Sequence, residues 1–264
     1  MGGNARAPRV VATGMTETLQ NGAPQRLAVD IWLDVACPWC AVGERRFEKV
    51  LETLPFKGDV DVRFHSFQLD PSAPERSELT QPEYLARRGM DPERIKEAGK
   101  HLQSMGAELD FHFDQDNTIP SNTFTSHRLI QAAAEHGVQG AVVDALFSAY
   151  FEQGKDVGDP AALKPAVVAA GLPAEVADAV LSDPAAFRDE VSEDIDQAAR
   201  LGIQGVPFYV IDNKYGVSGA QPEEVFEQAL TQVYTELNPA PKLAPLTGVV
   251  GQDGEVCGPD GCAV

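Results

Sequence analysis

Residues 27–54 read LAVDIWLDVACPWCAVGERRFEKVLETL, and the order of residue types along them decides the fold. Residues 27–35 are rich in β-branched and aromatic types and alternate apolar with polar over part of their length, which is the pattern of a half-buried or central strand. After Cys37 the apolar positions Phe47, Val50, Leu51 and Leu54 fall at i, i+3, i+4 and i+7, so the spacing predicts an amphipathic helix over 38–54. Pro55 and Gly58 stop it. Val60, Val62 and Phe64 then alternate with Asp61, Arg63 and His65, giving a second strand that a right-handed crossover places parallel to the first. The cysteines open the helix of a βαβ unit.

Downstream the pattern changes to helical segments punctuated by Gly and Pro, at 81–88, 92–106, 123–136, 141–151, 161–170, 174–181 and 185–201. Residues 207–211, a turn at Asp212-Asn213-Lys214, and residues 215–218 then read as a β-hairpin with a loop slightly longer than the tightest type. A final helix is expected over 222–237. The order is strand, helix, strand, helical block, hairpin, helix, with no internal repeat. It fits an α/β class, a thioredoxin-like mixed sheet built from 27–70 and 202–238 with an all-helical domain, 71–201, inserted. Residues 1–26 read as a disordered extension in which Met15 offers a second start, and 239–264, dense in Pro and Gly, as an extended tail.

Forty acidic side chains against 21 Lys and Arg leave the 264-residue chain at −19, a field that repels phosphate backbones and anionic lipid. Nucleic acid and membrane are not expected partners. No apolar run approaches the ~20 residues of a membrane span, and residues 1–26 lack the 7 to 15 residue apolar stretch of a secretory signal, so a cytoplasmic location is expected. Hydrophobic residues at 43% and charged residues at 23% exclude disordered and collagenous chains. Four cysteines are too few for a disulfide framework. They form two close pairs, Cys37 with Cys40 and Cys257 with Cys262, and close pairs point to redox chemistry or metal ligation.

In Cys37-Pro38-Trp39-Cys40 each residue type has a physical reason. Pro38 suits the first helical turn, where its φ is preset and its missing amide proton would be unpaired. Cys37 then caps the helix, where free N–H groups and the macrodipole favour the negative charge of a thiolate. Cys40 lies three residues on, on the same face and within disulfide reach. The expected chemistry is attack by Cys37 on a disulfide, a mixed disulfide, and resolution by Cys40, or the reverse. The alternative is half of a zinc site, although such a knuckle usually sits in a Gly-containing turn with a matching second knuckle.

LDVACPWCAVGE, followed far downstream by GIQGVPFYVI and GAQPEEVF, resembles the DsbA-like thioredoxin-fold oxidoreductases, most closely their FrnE-like cytoplasmic branch, over about 27–237. The resemblance implies a thioredoxin core with an inserted helical domain and dithiol oxidoreductase or isomerase activity. It also implies that Pro207 is a cis-proline facing the cysteines, with the Val206 backbone pairing with an incoming substrate strand. Expected partners are client proteins with thiols or disulfides, and a low-molecular-weight thiol or thioredoxin-type reductant. No cofactor and no metal site are expected. Trp39 stands where DsbA proper has histidine, so that enzyme's oxidising strength is not carried over.

Cys257-Gly-Pro-Asp-Gly-Cys262 is a loop of turn formers in which two sulfurs meet easily. It lies beyond the resemblance, and an electron relay between it and the first pair is the chemistry expected of it; idle cysteines or adventitious metal are the bland alternative. Asp34, at the strand end, is a candidate proton holder for Cys40 or a solvated carboxylate, and Trp39 a substrate contact or a shield for the sulfurs. Ser121-Asn122-Thr123 reads as a helix N-cap. The histidines, at 65, 101, 112, 127 and 136, form no metal constellation; His127 and His136 are ligand candidates only in isolation. Two other functions compete. A kappa-type glutathione transferase or isomerase has serine where this chain has Cys37, and a four-cysteine metal-binding or sensing protein would fold the tail pair over the first pair.

Overall fold

The computed structural model describes residues 23–240 other than Arg76. Strand β1, Leu27–Leu33, pairs in parallel with β2, Val60–Ser66, in the register Leu27 to Val60 through Leu33 to Ser66. The helix between them, α1, Pro38–Thr53, starts at the proline of the cysteine motif. On its other edge β1 pairs antiparallel with β3, Phe208–Ile211, and β3 with β4, Tyr215–Ser218, so the sheet order is β2-β1-β3-β4. Of the two interior strands, β1 is the one that leads into the cysteines. The hairpin loop 212–214 places Asp212 and Asn213 at positive φ (54° and 52°), which short polar side chains tolerate better than most.

Residues between β2 and β3 supply α2 (Gln81–Arg87), α3 (Pro92–Glu108), α4 (Phe124–Ala134), α5 (Gln139–Phe147), α6 (Pro160–Ala169), α7 (Ala174–Ser182) and α8 (Arg188–Arg200), and α9 (Glu223–Leu237) closes the described chain. One detail differs from the expectation. The helix predicted over 141–151 begins at Gln139 and ends as α5 at Phe147, and Ser148–Glu152 continues as a π turn, a device that re-aims side chains and recurs at functional sites. The cap of α4 comes from Asn122, whose Oδ1 accepts the Phe124 N–H at 3.0 Å, while Thr123 at the N-cap position makes no side-chain cap bond.

The buried face of α1 packs on β3 and α9 through Phe47, Tyr209 and Phe226, whose ring centroids lie 4.7–5.7 Å apart. Truncating a fully buried phenylalanine costs about 3–5 kcal/mol, so this cluster fixes α1 against the sheet. Gly43 makes the contact close: a Cβ there would sit 2.6 Å from the Tyr209 hydroxyl and 3.0 Å from Pro207 Cγ. The opposite side of the sheet carries a polar lock. His65 stacks on Trp32 at 4.3 Å and bonds Asp194 Oδ1 through Nδ1 and Asp30 Oδ1 through Nε2, both at 2.7 Å. Asp194 Oδ2 also accepts from Ser66 N–H and Gln131 Nε2, tying α8 and α4 to the sheet. Burial opposes the imidazolium, but the two carboxylates outweigh it and raise the His65 pKa. At the other margin, Gln25 and Arg26 are held by Asn238 and Asp61 respectively.

Candidate active site

The end of β1, the start of α1 and the approach to β3 meet at one corner. Cys37 occupies the N-cap of α1 with extended backbone (φ −90°, ψ 110°), its N–H donating to Asp34 O and its carbonyl accepting from Cys40 N–H, both at 3.0 Å. This is the strand-to-helix setting that the proline at N1 favours. The Cys37 thiol donates to Val206 O at 3.5 Å, and the Val206–Pro207 peptide bond is cis. Among the described residues both thiols are free. Cys40 is sealed beneath Cys37; burial and the neighbouring Cys37 thiol push its pKa well up, against a smaller opposing pull from the Asp34 backbone.

Cys37, Cys40, Trp39, Asp34, Val206 and Pro207 therefore share one corner. Asp34 is not a solvated strand end: its residue is 1% exposed, its Oδ2 accepts Leu69 N–H at 2.7 Å and its Oδ1 accepts Ala36 N–H at 3.3 Å. Trp39 stands at the surface, tilted against His101 of α3. Cys257 and Cys262 lie outside the described residues. Among the described residues no group of three or more His, Cys, Asp and Glu side chains is placed to hold a metal ion, and no helix is long and apolar enough to cross a membrane.

A cavity of about 490 Å³ opens beside Cys37, between α1 and the α2–α3 hairpin. That volume lies within the range of small-ligand sites. Among the described residues five large hydrophobics are exposed, Trp39, Leu69, Met90, Leu201 and Val225, and the first three line this cavity. Such concentration marks a contact surface rather than scattered exposure. On its wall Asp70 and Arg88 pair at 2.6 Å.

Four residues of this corner escaped sequence reading. Leu69 and Met90 sit in irregular segments with no periodicity to mark them. Tyr150 is turned into the cavity wall by the π turn, its hydroxyl buried without a partner among the described residues. Glu44, one turn after Cys40, is 5% exposed, with Oε2 unpartnered among the described residues; burial, then Glu48 and Asp144, push its pKa up to about 8. Its signal was present in the sequence as a carboxyl on the apolar stripe that includes Cys40 and Phe47.

The family profile of the DSBA-like thioredoxin domain matches residues 28–231. This chain belongs to that family. A probable DsbA oxidoreductase from Streptomyces coelicolor is 41% identical, with 90% of this chain and 99% of that one covered and a TM-score of 0.76. The cytosolic disulfide reductase DsbM from Pseudomonas aeruginosa, in a structure with glutathione, shares the fold at 18% identity, 78% and 98% coverage and a TM-score of 0.55. So does a 2-hydroxychromene-2-carboxylate isomerase, at 15% identity, 79% and 97% coverage and 0.58. No curated protein matches the chain. The DSBA-like family comprises thiol-disulfide oxidoreductases, and the α/β fold described above is theirs.

Proposed function

We propose that this protein is a cytoplasmic thiol-disulfide oxidoreductase and isomerase of FrnE-like type, acting on protein cysteines through Cys37 and Cys40. The observation that carries the reading is the Cys37 thiol: it caps α1, faces Val206 O across the junction with Pro207, and borders a cavity with an apolar mouth. The Cys37 thiolate attacks one sulfur of a client disulfide, that S–S bond breaks, and one client thiolate leaves. Cys40, having lost its proton, then attacks Cys37 Sγ; the mixed disulfide breaks and the second client thiolate leaves. Two electrons pass from the dithiol to the client, and the reverse sequence oxidises a client dithiol. Trp39, Leu69 and Met90 supply the apolar contact for an unfolded client, the Val206 backbone its strand partner, and Asp34 the proton acceptor for Cys40.

A low-molecular-weight thiol, the class to which the glutathione of the DsbM structure belongs, or a thioredoxin-type protein returns the disulfide to the dithiol. The tail pair Cys257 and Cys262 relays those electrons. Reach permits this. The described tail starts where Asn238 bonds the Gln25 backbone, at the beginning of β1, and the seven residues of β1 span ~23 Å at ~3.3 Å each. The 19 residues from Asn238 to Cys257 can extend over ~60 Å. Insulin reduction and refolding of scrambled ribonuclease, each run with Cys37→Ser and Cys40→Ser, test the assignment: activity is lost in Cys37→Ser, and activity surviving both substitutions overturns it. Cys257→Ser with Cys262→Ser slows turnover with at least one electron donor; unchanged kinetics with every donor removes the relay.

A further inference from the structure

Beneath the dithiol, three buried polar side chains from separate elements converge without completing one another's hydrogen bonds. Asp34 ends β1. His127, in the second turn of α4, is fully buried, and its Nε2 lies 3.4 Å from Asp34 Oδ1. Neither ring nitrogen has a hydrogen-bond partner among the described residues, and neither does the hydroxyl of Tyr150. A buried polar atom left unpaired costs ~1–3 kcal/mol, and most buried polar groups in folded proteins are paired. Here three such atoms lie near the carboxylate closest to Cys40. Of the ionisable groups around this cluster, Cys40 of α1, with Cys37 beside it, lies next to Asp34, and Asp156 lies beyond Tyr150.

The reaction supplies a task for them. Cys40 is sealed from solvent, yet resolution requires its thiol to surrender a proton, and an acceptor must lie inside the protein. Asp34 borders both the buried thiol and the cavity. Its Oδ2 is engaged by Leu69 N–H at 2.7 Å, whereas Oδ1 holds only the longer Ala36 contact. That is the oxygen His127 addresses.

We propose that His127 is a positioning residue for the dithiol chemistry: from beneath, its ring holds Asp34 Oδ1 in place to take the Cys40 proton during resolution and return it when Cys40 leaves as a thiolate. In the resolving step the Cys40 S–H bond breaks, its proton goes to the Asp34 carboxylate, the Cys40–Cys37 disulfide forms, and the bond from Cys37 to the client sulfur breaks with its electron pair leaving on the client thiolate. No further oxidant or reductant enters. The proposal rests on the function proposed above, and the experiment separates their failures.

A peptide carrying a single cysteine activated as a mixed disulfide is presented to reduced full-length protein under single-turnover conditions, so that attack by Cys37 and resolution by Cys40 are timed separately across pH. In His127→Phe, resolution slows roughly ten- to a hundredfold, below the ~10²–10⁴ of a group that itself carries the proton, and its pH dependence shifts, while the attack step is unchanged. His127→Gln, which restores a donor, recovers most of the rate. Equal slowing of both steps, or an unaltered resolution rate and pH profile, overturns the proposal. No adduct on Cys37 in the unsubstituted protein overturns the function and the proposal together. Where His127→Phe does not fold, the ring ¹⁵N shifts of His127 in the unsubstituted protein decide: they move between the dithiol and disulfide states, and identical shifts in both states overturn the role.

Discussion

Two histidines divide the molecule. His65, on one side of the sheet, has both ring nitrogens bonded at 2.7 Å to carboxylates from β1 and α8 and its ring stacked on Trp32. His127, at the cysteine corner, is fully buried, yet among the described residues neither nitrogen has a hydrogen-bond partner and the nearest carboxylate oxygen stands at 3.4 Å. Burial alone therefore does not separate a structural polar group from a working one; satisfaction does. A completed network fixes elements in place, because removing any member strands the others in low dielectric. An incomplete network beside a reactive sulfur stores no such rigidity and leaves lone pairs and protons available. Glu44 Oε2 on α1 and the Tyr209 hydroxyl on β3, which faces that helix, also lack partners among the described residues and extend the same contrast.

The contrast can be broken from either side. The largest effect is expected at the reactive corner, where Cys37→Ser lowers insulin reduction by several orders of magnitude and leaves the thermal midpoint nearly unchanged, read by calorimetry. The lock should respond the other way. His65→Leu leaves the buried Asp194 and half-buried Asp30 carboxylates without their cation and lowers unfolding free energy by about 3–5 kcal/mol in urea titrations, while the rate of Cys37 alkylation per folded molecule holds. Because the His65 pKa is raised on folding, its contribution is fully present below its unfolded value of ~6.5 and is lost as pH rises through the folded value. Stability that did not decline with alkaline pH, or declined equally in His65→Leu, would contradict the lock.

Glu44 sharpens the comparison. With its folded pKa raised to about 8, the carboxyl is neutral in the folded protein where the unfolded chain is ionised. Its favourable balance is complete below the ordinary glutamate value and is lost as pH rises to about 8. Glu44→Gln is expected to match the parent near pH 4 and to exceed it by about a few kcal/mol at pH 9. A smaller effect is expected at the mouth of the cavity, where Trp39→Ala raises KM for an unfolded client about threefold with kcat little changed, since a partly exposed aromatic contributes only part of its burial energy.

The pattern of the sequence carried the sheet and the helix that opens at Cys37 and Cys40 because each depends on local information. The alternation around Val60 and Phe64, the i, i+3, i+4, i+7 stripe from Phe47 to Leu54, and the Pro38 and Cys37 start signals all act within a few residues. The Asp212-Asn213 turn does so too. What stayed hidden was long-range. Tyr150 reaches the cavity because α5 loosens into a π turn, and no single-residue propensity encodes that. His127 gains meaning only when α4 is laid beneath β1, a contact between positions some ninety residues apart in sequence. The choice of Asn122 over Thr123 as the capping side chain is likewise settled by packing, since Asn122 also bonds Pro71 O and Ala73 O.

The most direct test asks which sulfur a client meets. Cys40→Ser protein is incubated with reduced and unfolded ribonuclease or a cysteine peptide under mild oxidation, quenched with acid, and digested for mass spectrometry. A disulfide joining Cys37 to a client cysteine is expected to accumulate in Cys40→Ser and to be absent from Cys37→Ser. Absence of that adduct from Cys40→Ser, or an equal yield from Cys37→Ser, contradicts the account.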